Sequence, residues 1–346
     1  MFKFVHALRG LAAMWVLLFH ASEGGHIEHL KASLPDWADY FIFRLGDCGV
    51  AIFFALSGFV IAHSLRGAKV DAGFVGRFAF RRALRLDPPY WIAIAFVIGL
   101  QFISADVKGE VFTVPSGFHV GAHLLYLQTL LQYEQINPAF WTLTYEIQFY
   151  LVLASAIGIA QRFGITWVAV PLAVVALAWG TGLVPTLVPG LFVNLWHSFA
   201  IGALAYWAIE DGRAAKAMIA MTVVLLFFAA SIFTMVSVLT AVALFTAGRT
   251  GYLMRGLDWR VLQWLGTISY SLYLTHSPVT GAAFHLTARV GLAEWIALPL
   301  VVAGCVGFAA AFWWAIERPS QALAKRVHSP QKTSSGAVIL MRTCLR

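Results

Sequence analysis

Apolar residues run through this chain in blocks about as long as a bilayer crossing, separated by short polar segments. The blocks fall at about residues 4–22, 47–66, 86–104, 138–160, 165–184, 188–209, 215–231, 232–247, 262–284 and 292–316. A helix needs roughly 20 apolar residues to cross about 30 Å of hydrocarbon. The pattern therefore predicts about ten transmembrane helices in one polytopic, all-α membrane bundle. Residues 215–247 are a single long apolar stretch that reads either as a tight hairpin of two short spans or as one tilted helix.

Charge between the blocks decides that question. The segments with Lys3 and Arg9, Arg66 to Arg85, Arg162, Arg213 and Lys216, Arg249 to Arg260, and Lys325 onward are basic. The alternate loops, Glu23 to Asp47 and Asp106 to Glu134, are acidic on balance. Basic loops stay in the cytoplasm, and the alternation holds only with two spans between residues 216 and 249. Both termini are then expected to be cytoplasmic.

Composition agrees. With 60% of residues apolar and 12% charged, the chain lies outside the range of soluble domains. The net charge of +8 would suggest nucleic acid in a soluble protein. Here the basic residues sit between apolar runs, so they read as topology signals beside a lipid bilayer, and no nucleic-acid partner is expected. Cys48, Cys305 and Cys344 have neither metal-ligand spacing nor a disulfide framework. No metal site is expected. Arg9 and His20 inside the first run argue for an uncleaved span rather than a signal peptide. A single membrane domain is expected over residues 1–319, with a basic, disordered cytoplasmic tail over 320–346.

Three clusters of polar groups break the apolar pattern. In RGLAAMWVLLFH, residues 9–20, Arg9 and His20 are eleven positions apart, which on a helix returns to within about 20° of one face, roughly 16 Å along the axis. A plain reading has Arg9 snorkelling to headgroups and His20 capping the outer end. In RFAFRRALRLDPPYW, residues 77–91, Arg77, Arg81 and Arg85 align on one helical face with Arg82 beside them. Guanidinium forks suit phosphate oxygens, although topogenic charge meeting anionic lipid accounts for them too. In WTLTYEIQFY, residues 141–150, Glu146 sits within a span, where a carboxylate normally has a partner.

In the predicted topology His20, Glu146 and His276, the last in SYSLYLTH, reach similar depth from three helices. They are expected to share a cavity. Ser57 is a further polar group near mid-span, though its pairing with Gly58 also suits close helix packing. Tyr145, Tyr150, Tyr270 and Tyr273 read either as packing aromatics or as hydroxyl donors.

A basic comb at one end and a His with a carboxylate at the other would fit acyl-coenzyme A as a co-substrate, its phosphates near Arg77, Arg81, Arg82, Arg85 and Arg9. His20 would be the general base for an attacking hydroxyl, with Glu146 orienting its ring. His276, Ser57, Tyr145 and Tyr270 are candidates for the substrate or oxyanion contacts. No tightly bound cofactor is expected. The alternative is a proton-coupled transporter or flippase using His20 and Glu146 as a relay.

Arg9 through His20 also reproduces the Arg/Lys-x10-His signature of acyltransferase family 3. GVAIFFALSGFVI (49–61), RFAFRRALRLDPPYW, WTLTYEIQFY, LGTISYSLYLTH (265–276) and the closing ERP (317–319) resemble that family's blocks in its order. The resemblance runs from Ala7 to about Pro319. It implies a ten-helix O-acyltransferase of the cytoplasmic (inner) membrane, moving an acyl group, most often acetyl, from acyl-CoA to a hydroxyl of a cell-surface or exported carbohydrate or glycolipid. The family's essential pair maps onto Arg9 and His20, and its RxxR element onto Arg82 and Arg85. The hydrolase-like domain fused to some relatives is not expected in the 27 residues 320–346.

Overall fold

The computed structural model describes residues 2–186 and 188–327, and among these the regular structure is entirely helical. The principal helices are α1 (Lys3–Glu23), α2 (Gly49–Ser64), α3 (Ala72–Lys108), α4 (Gly117–Leu124), α5 (Trp141–Phe163), α6 (Thr166–Gly180), α7 (Trp196–Ala208), α8 (Gly212–Phe227), α9 (Ile232–Arg249), α10 (Arg260–Arg289), α11 (Glu294–Phe312) and α12 (Arg318–Arg326). Each of the ten apolar runs carries one of them. Among the described residues, six segments are long and apolar enough to cross a membrane: Lys3–Glu23, Asp36–Ser64, Ala72–Lys108, Trp141–Phe163, Ile232–Arg249 and Glu294–Arg326.

Local chemistry sets the helix ends. Residues 215–247 form two helices rather than one, because the chain breaks after Phe227 and restarts where the Ser231 side chain accepts the Thr234 N–H at 3.3 Å. Asp211 caps α8 by accepting from Arg213 N–H at 2.7 Å and Ala214 N–H at 3.2 Å. Helix α3 begins well before the apolar run expected from residue 86. Asp71 caps it through the Phe74 N–H at 2.7 Å, so the arginine cluster lies on a helix, as its spacing implies. Pro88 and Pro89 lie inside α3 and remove the N–H donors that the carbonyls of Leu84 and Arg85 would otherwise meet. The tail expected to be disordered from residue 320 is helical to Arg326, and residues 328–346 lie outside the described residues.

The contacts divide the chain into two compact units. The first comprises Met1–Val50, Arg85–Thr142 and Met254–Ala322. Its centre is the packing of α1 on α10, with α11 on α10 behind it. A Cβ on Gly10 would fall 2.8 Å from the Gly266 nitrogen, and one on Gly266 would fall 2.2 Å from the His6 carbonyl oxygen. The two backbones touch there, as small residues permit in membrane helices. Between α4 and α5 the loop is anchored by buried polar groups: Asn137 Nδ2 donates to Leu274 O at 3.1 Å, and Gln128 Nε2 donates to Phe140 O at 3.1 Å.

The second unit comprises, among the described residues, Ala51–Leu84, Leu143–Leu253 and the helix end from Leu323. Helix α7 is its hub and packs against α6, α8 and α9. Gly58 and Gly202 let α2 and α7 meet backbone to backbone: a Cβ on either would fall 2.0 Å from a carbonyl oxygen of the other helix, Phe199 O or Ala55 O. The Ser57–Gly58 pair thus does serve close packing through its glycine.

Candidate active site

His20 occupies the last turn of α1, and the helix continues to Glu23, so the two side chains share a face at i and i+3. His20 Nδ1 lies 2.6 Å from Glu23 Oε2. An ionised carboxylate only accepts, so Nδ1 carries the hydrogen and Nε2 presents a lone pair. The His20 side chain is 13% exposed and that of Glu23 52%. The imidazole is thus largely covered while its carboxylate is half exposed. Asp47 adds a second negative charge that acts on the ring. The carboxylate on the His20 ring is Glu23, a residue for which the sequence suggested no role.

His276 approaches the same ring from α10. The contact of Gly10 with Gly266 puts α1 and α10 in register, and His20 and His276 each lie ten residues further on, about 15 Å along either helix. Their ring centroids are 5.1 Å apart, tilted by 42°. His276 is fully buried. Its Nδ1 lies 3.0 Å from Leu272 O and 2.9 Å from Tyr273 O. Both are acceptors, so Nδ1 holds the hydrogen and Nε2, buried with no hydrogen-bond partner, is an acceptor. With Nδ1–H held by its own helix, the neutral His276 ring offers an acceptor at Nε2.

At the other end of the first unit, Arg9 and Arg85 both act electrostatically on Glu317. Glu317 closes the π-helical turn Trp313–Glu317 after α11 and is buried. Its Oε2 accepts from Ser271 N–H at 3.1 Å and Ser271 Oγ–H at 2.5 Å, and its Oε1 from Gln321 Nε2 at 2.8 Å. Sequence reasoning assigned Glu317 no role beyond the ERP block. A carboxylate directly after an apolar run was the available signal.

In the second unit, Glu146 accepts hydrogen bonds from Ser57 Oγ, at 2.7 Å, and from the Tyr150 hydroxyl one helical turn on. The Arg82 guanidinium carbon lies 4.0 Å from the centroid of the Tyr150 ring, a cation–π contact. This joins one arginine of the comb to the Glu146 cluster. Arg81 is half-buried and Arg77 exposed. The hydroxyls considered as oxyanion donors have structural partners. Ser57 donates to Glu146, Tyr145 accepts from Gly190 N–H at 2.9 Å, and Tyr270 donates to Leu86 O at 3.0 Å.

Outside the spans, His123 in α4 is buried, and burial pushes its imidazole down to about 4. Burial likewise raises the Tyr126 phenol, whose hydroxyl donates to Asp87 at 2.8 Å. No group of three or more His, Cys, Asp or Glu suited to a metal ion occurs among the described residues.

Long apolar helices with ionisable side chains turned inward, and an imidazole–carboxylate pair near one end, define a multi-pass membrane protein with the parts of an acid–base catalyst. A family model described as an acyltransferase domain matches residues 2–316, and the chain belongs to acyltransferase family 3. Neither a curated protein nor a solved structure matches it.

Proposed function

We propose that this acyltransferase moves an acyl group, acetyl foremost, from acyl-CoA to a hydroxyl of a cell-surface or exported carbohydrate, from within the cytoplasmic membrane. The observation that carries the proposal is the His20–Glu23 pair, an imidazole whose Nδ1–H is held by a carboxylate and whose Nε2 is available as a base. His20 takes the proton of the acceptor hydroxyl as its oxygen attacks the thioester carbonyl. Glu23 keeps the tautomer and offsets the charge that develops on the ring. The carbon–sulfur bond then breaks, and the sulfur takes the proton from His20 and leaves as coenzyme A thiol.

Arg81, Arg82 and Arg85, with Arg77 and Arg9, are proposed to receive the anionic phosphates of the donor. Guanidinium forks suit the oxygens of a pyrophosphate and a ribose phosphate. Ten spans with both termini in the cytoplasm would put this basic cluster at the face where acyl-CoA is made, and His20 towards the opposite face.

The experiment is acyl transfer from acetyl-labelled acetyl-CoA to envelope glycans, in membranes carrying either the natural protein or a folded His20→Ala variant. Label on glycan with the natural protein alone is the expected result. Equal label with both variants would remove His20 as the base.

A further inference from the structure

His276 is a buried histidine whose role the proposed reaction leaves open. Its Nδ1–H is shared between two carbonyls of its own helix. Moving that hydrogen to Nε2 would set a bare nitrogen against two oxygens, so the neutral ring has a single tolerable tautomer. Its Nε2 lone pair is fully buried and unmet among the described residues, which costs free energy in the resting protein. Unsatisfied buried groups of this kind call for a specific explanation, and service in catalysis is one.

The ring nearest to hand is His20, 5.1 Å away between centroids. In the resting state its one N–H is Nδ1–H, directed at Glu23. It has no hydrogen on Nε2 to offer.

We propose that His276 is a positioning residue whose Nε2 accepts the hydrogen that His20 gains at Nε2 on deprotonating the acceptor hydroxyl. The proposal rests on the reading of His20 as the base. The hydroxyl O–H bond breaks and an N–H bond forms on His20. Once the oxygen has bonded to the acyl carbon it is a poor acceptor, and the His20 N–H turns to His276. When the carbon–sulfur bond breaks, the sulfur takes that proton from His20, and His276 ends as it began. An acceptor unmet in the ground state and met only after proton transfer stabilises the charged intermediate, and the transition states that resemble it, over the resting state. The charged groups acting on His20 are Glu23 on its own helix and Asp47 in the turn Gly46–Cys48, while among the described residues the titratable groups beside His276 are His20, the Tyr273 ring at 5.9 Å between centroids and the Cys305 thiol, which donates to His276 O at 3.8 Å.

The test compares the natural protein with His276→Gln and His276→Leu, using acetyl-CoA as donor and measuring kcat and KM across pH. Gln can place an accepting oxygen near the position of Nε2, and Leu cannot. The Leu variant is expected to lose roughly ten- to a hundredfold in kcat, the range for a hydrogen bond to a charged group, with KM for acetyl-CoA little changed. The acid limb of its pH–rate profile moves to lower pH, because the protonated His20 ring has lost support. The Gln variant is expected to keep most of the rate and the natural limb. Equal losses in both folded variants, with an unmoved limb, would overturn the proposal in favour of simple packing. Nitrogen NMR of histidine-labelled protein adds a test that needs no acceptor: a hydrogen on Nε2 of resting His276 rather than on Nδ1 would also overturn it. A folded His20→Ala variant of natural activity would instead strike the underlying reading of His20, so the two failures are separable.

Discussion

Glu23 holds the Nδ1 side of the His20 ring at 2.6 Å from one turn further along the same helix. The pair is local, so its geometry depends on α1 remaining helical through its last turn. Glu23→Ala is expected to lower kcat roughly a hundredfold, within the span of general base catalysis, by releasing the tautomer and removing the charge. Glu23→Gln, which still accepts the Nδ1–H but is neutral, is expected to lose about tenfold. Glu146→Gln should leave the pH–rate profile in place, since Glu146 bonds Ser57 and Tyr150. Initial rates across pH on the three variants check this, and a limb moved by Glu146→Gln but not by Glu23→Gln would reverse the assignment.

The contact of α1 with α10 has no room for a methyl group. Gly266→Ala would put its Cβ 2.2 Å from the His6 carbonyl oxygen, and backbone cannot yield as a flexible side chain does. The expected cost is about 1–3 kcal/mol, as for overpacked cores, seen as a lower melting temperature in detergent. Because the same contact sets the height of His20 against His276, activity should fall further than stability alone explains. Gly76→Ala, where a Cβ meets nothing within 4 Å, is the matched control and should leave both unchanged.

Much of this architecture was legible because lipid imposes long apolar runs, and the cost of a charge in hydrocarbon made Arg9, His20 and Glu146 conspicuous. The break between α8 and α9 could be read from charge parity alone. What was missed depends on the last residues of elements and on hydrogen positions. Ending the first run at residue 22 assigned Glu23 to a loop, whereas one more helical residue puts it on the face of His20. The apolar run begins only near residue 86 because Arg77 to Arg85 interrupt it, whereas Asp71 and the helical spacing of the arginines carry α3 back to Ala72. The tautomer of His276 follows from two carbonyls of its own backbone, which residue type does not reveal.

Glu317 gathers the negative side of the Arg9 and Arg85 charges in a buried setting. Glu317 is buried and the two arginines are half-buried, so removing the carboxylate leaves two partly desolvated positive charges without their offset, a smaller loss than in a fully buried pair. Glu317→Gln should therefore lower the melting temperature by several degrees. Adding Arg85→Gln should recover part of that loss, since the stranded charge goes with it. A thermal double-mutant cycle measures the coupling, and strictly additive losses would show that Arg85 and Glu317 act independently.

The loop that leans on the His276 helix should be sensitive to acid. His123 Nδ1–H donates to His119 O at 3.1 Å, and its Nε2 accepts the Ile136 N–H at 3.2 Å. The second bond requires the neutral ring. The adjacent Asn137 donates to Leu274 O at 3.1 Å, two residues before His276. Burial holds His123 down to about 4, from 6.5 in the unfolded chain. Between those values the unfolded chain binds a proton that the folded loop refuses, so stability is complete above about pH 6.5 and declines as pH falls towards 4. Hydrogen exchange in residues 117–137 should accelerate over that window, and with it the loss of acyl transfer. His123→Gln cannot take up the proton, so its exchange should vary less with pH across the window. Exchange that rises equally in the variant would place the acid sensitivity elsewhere.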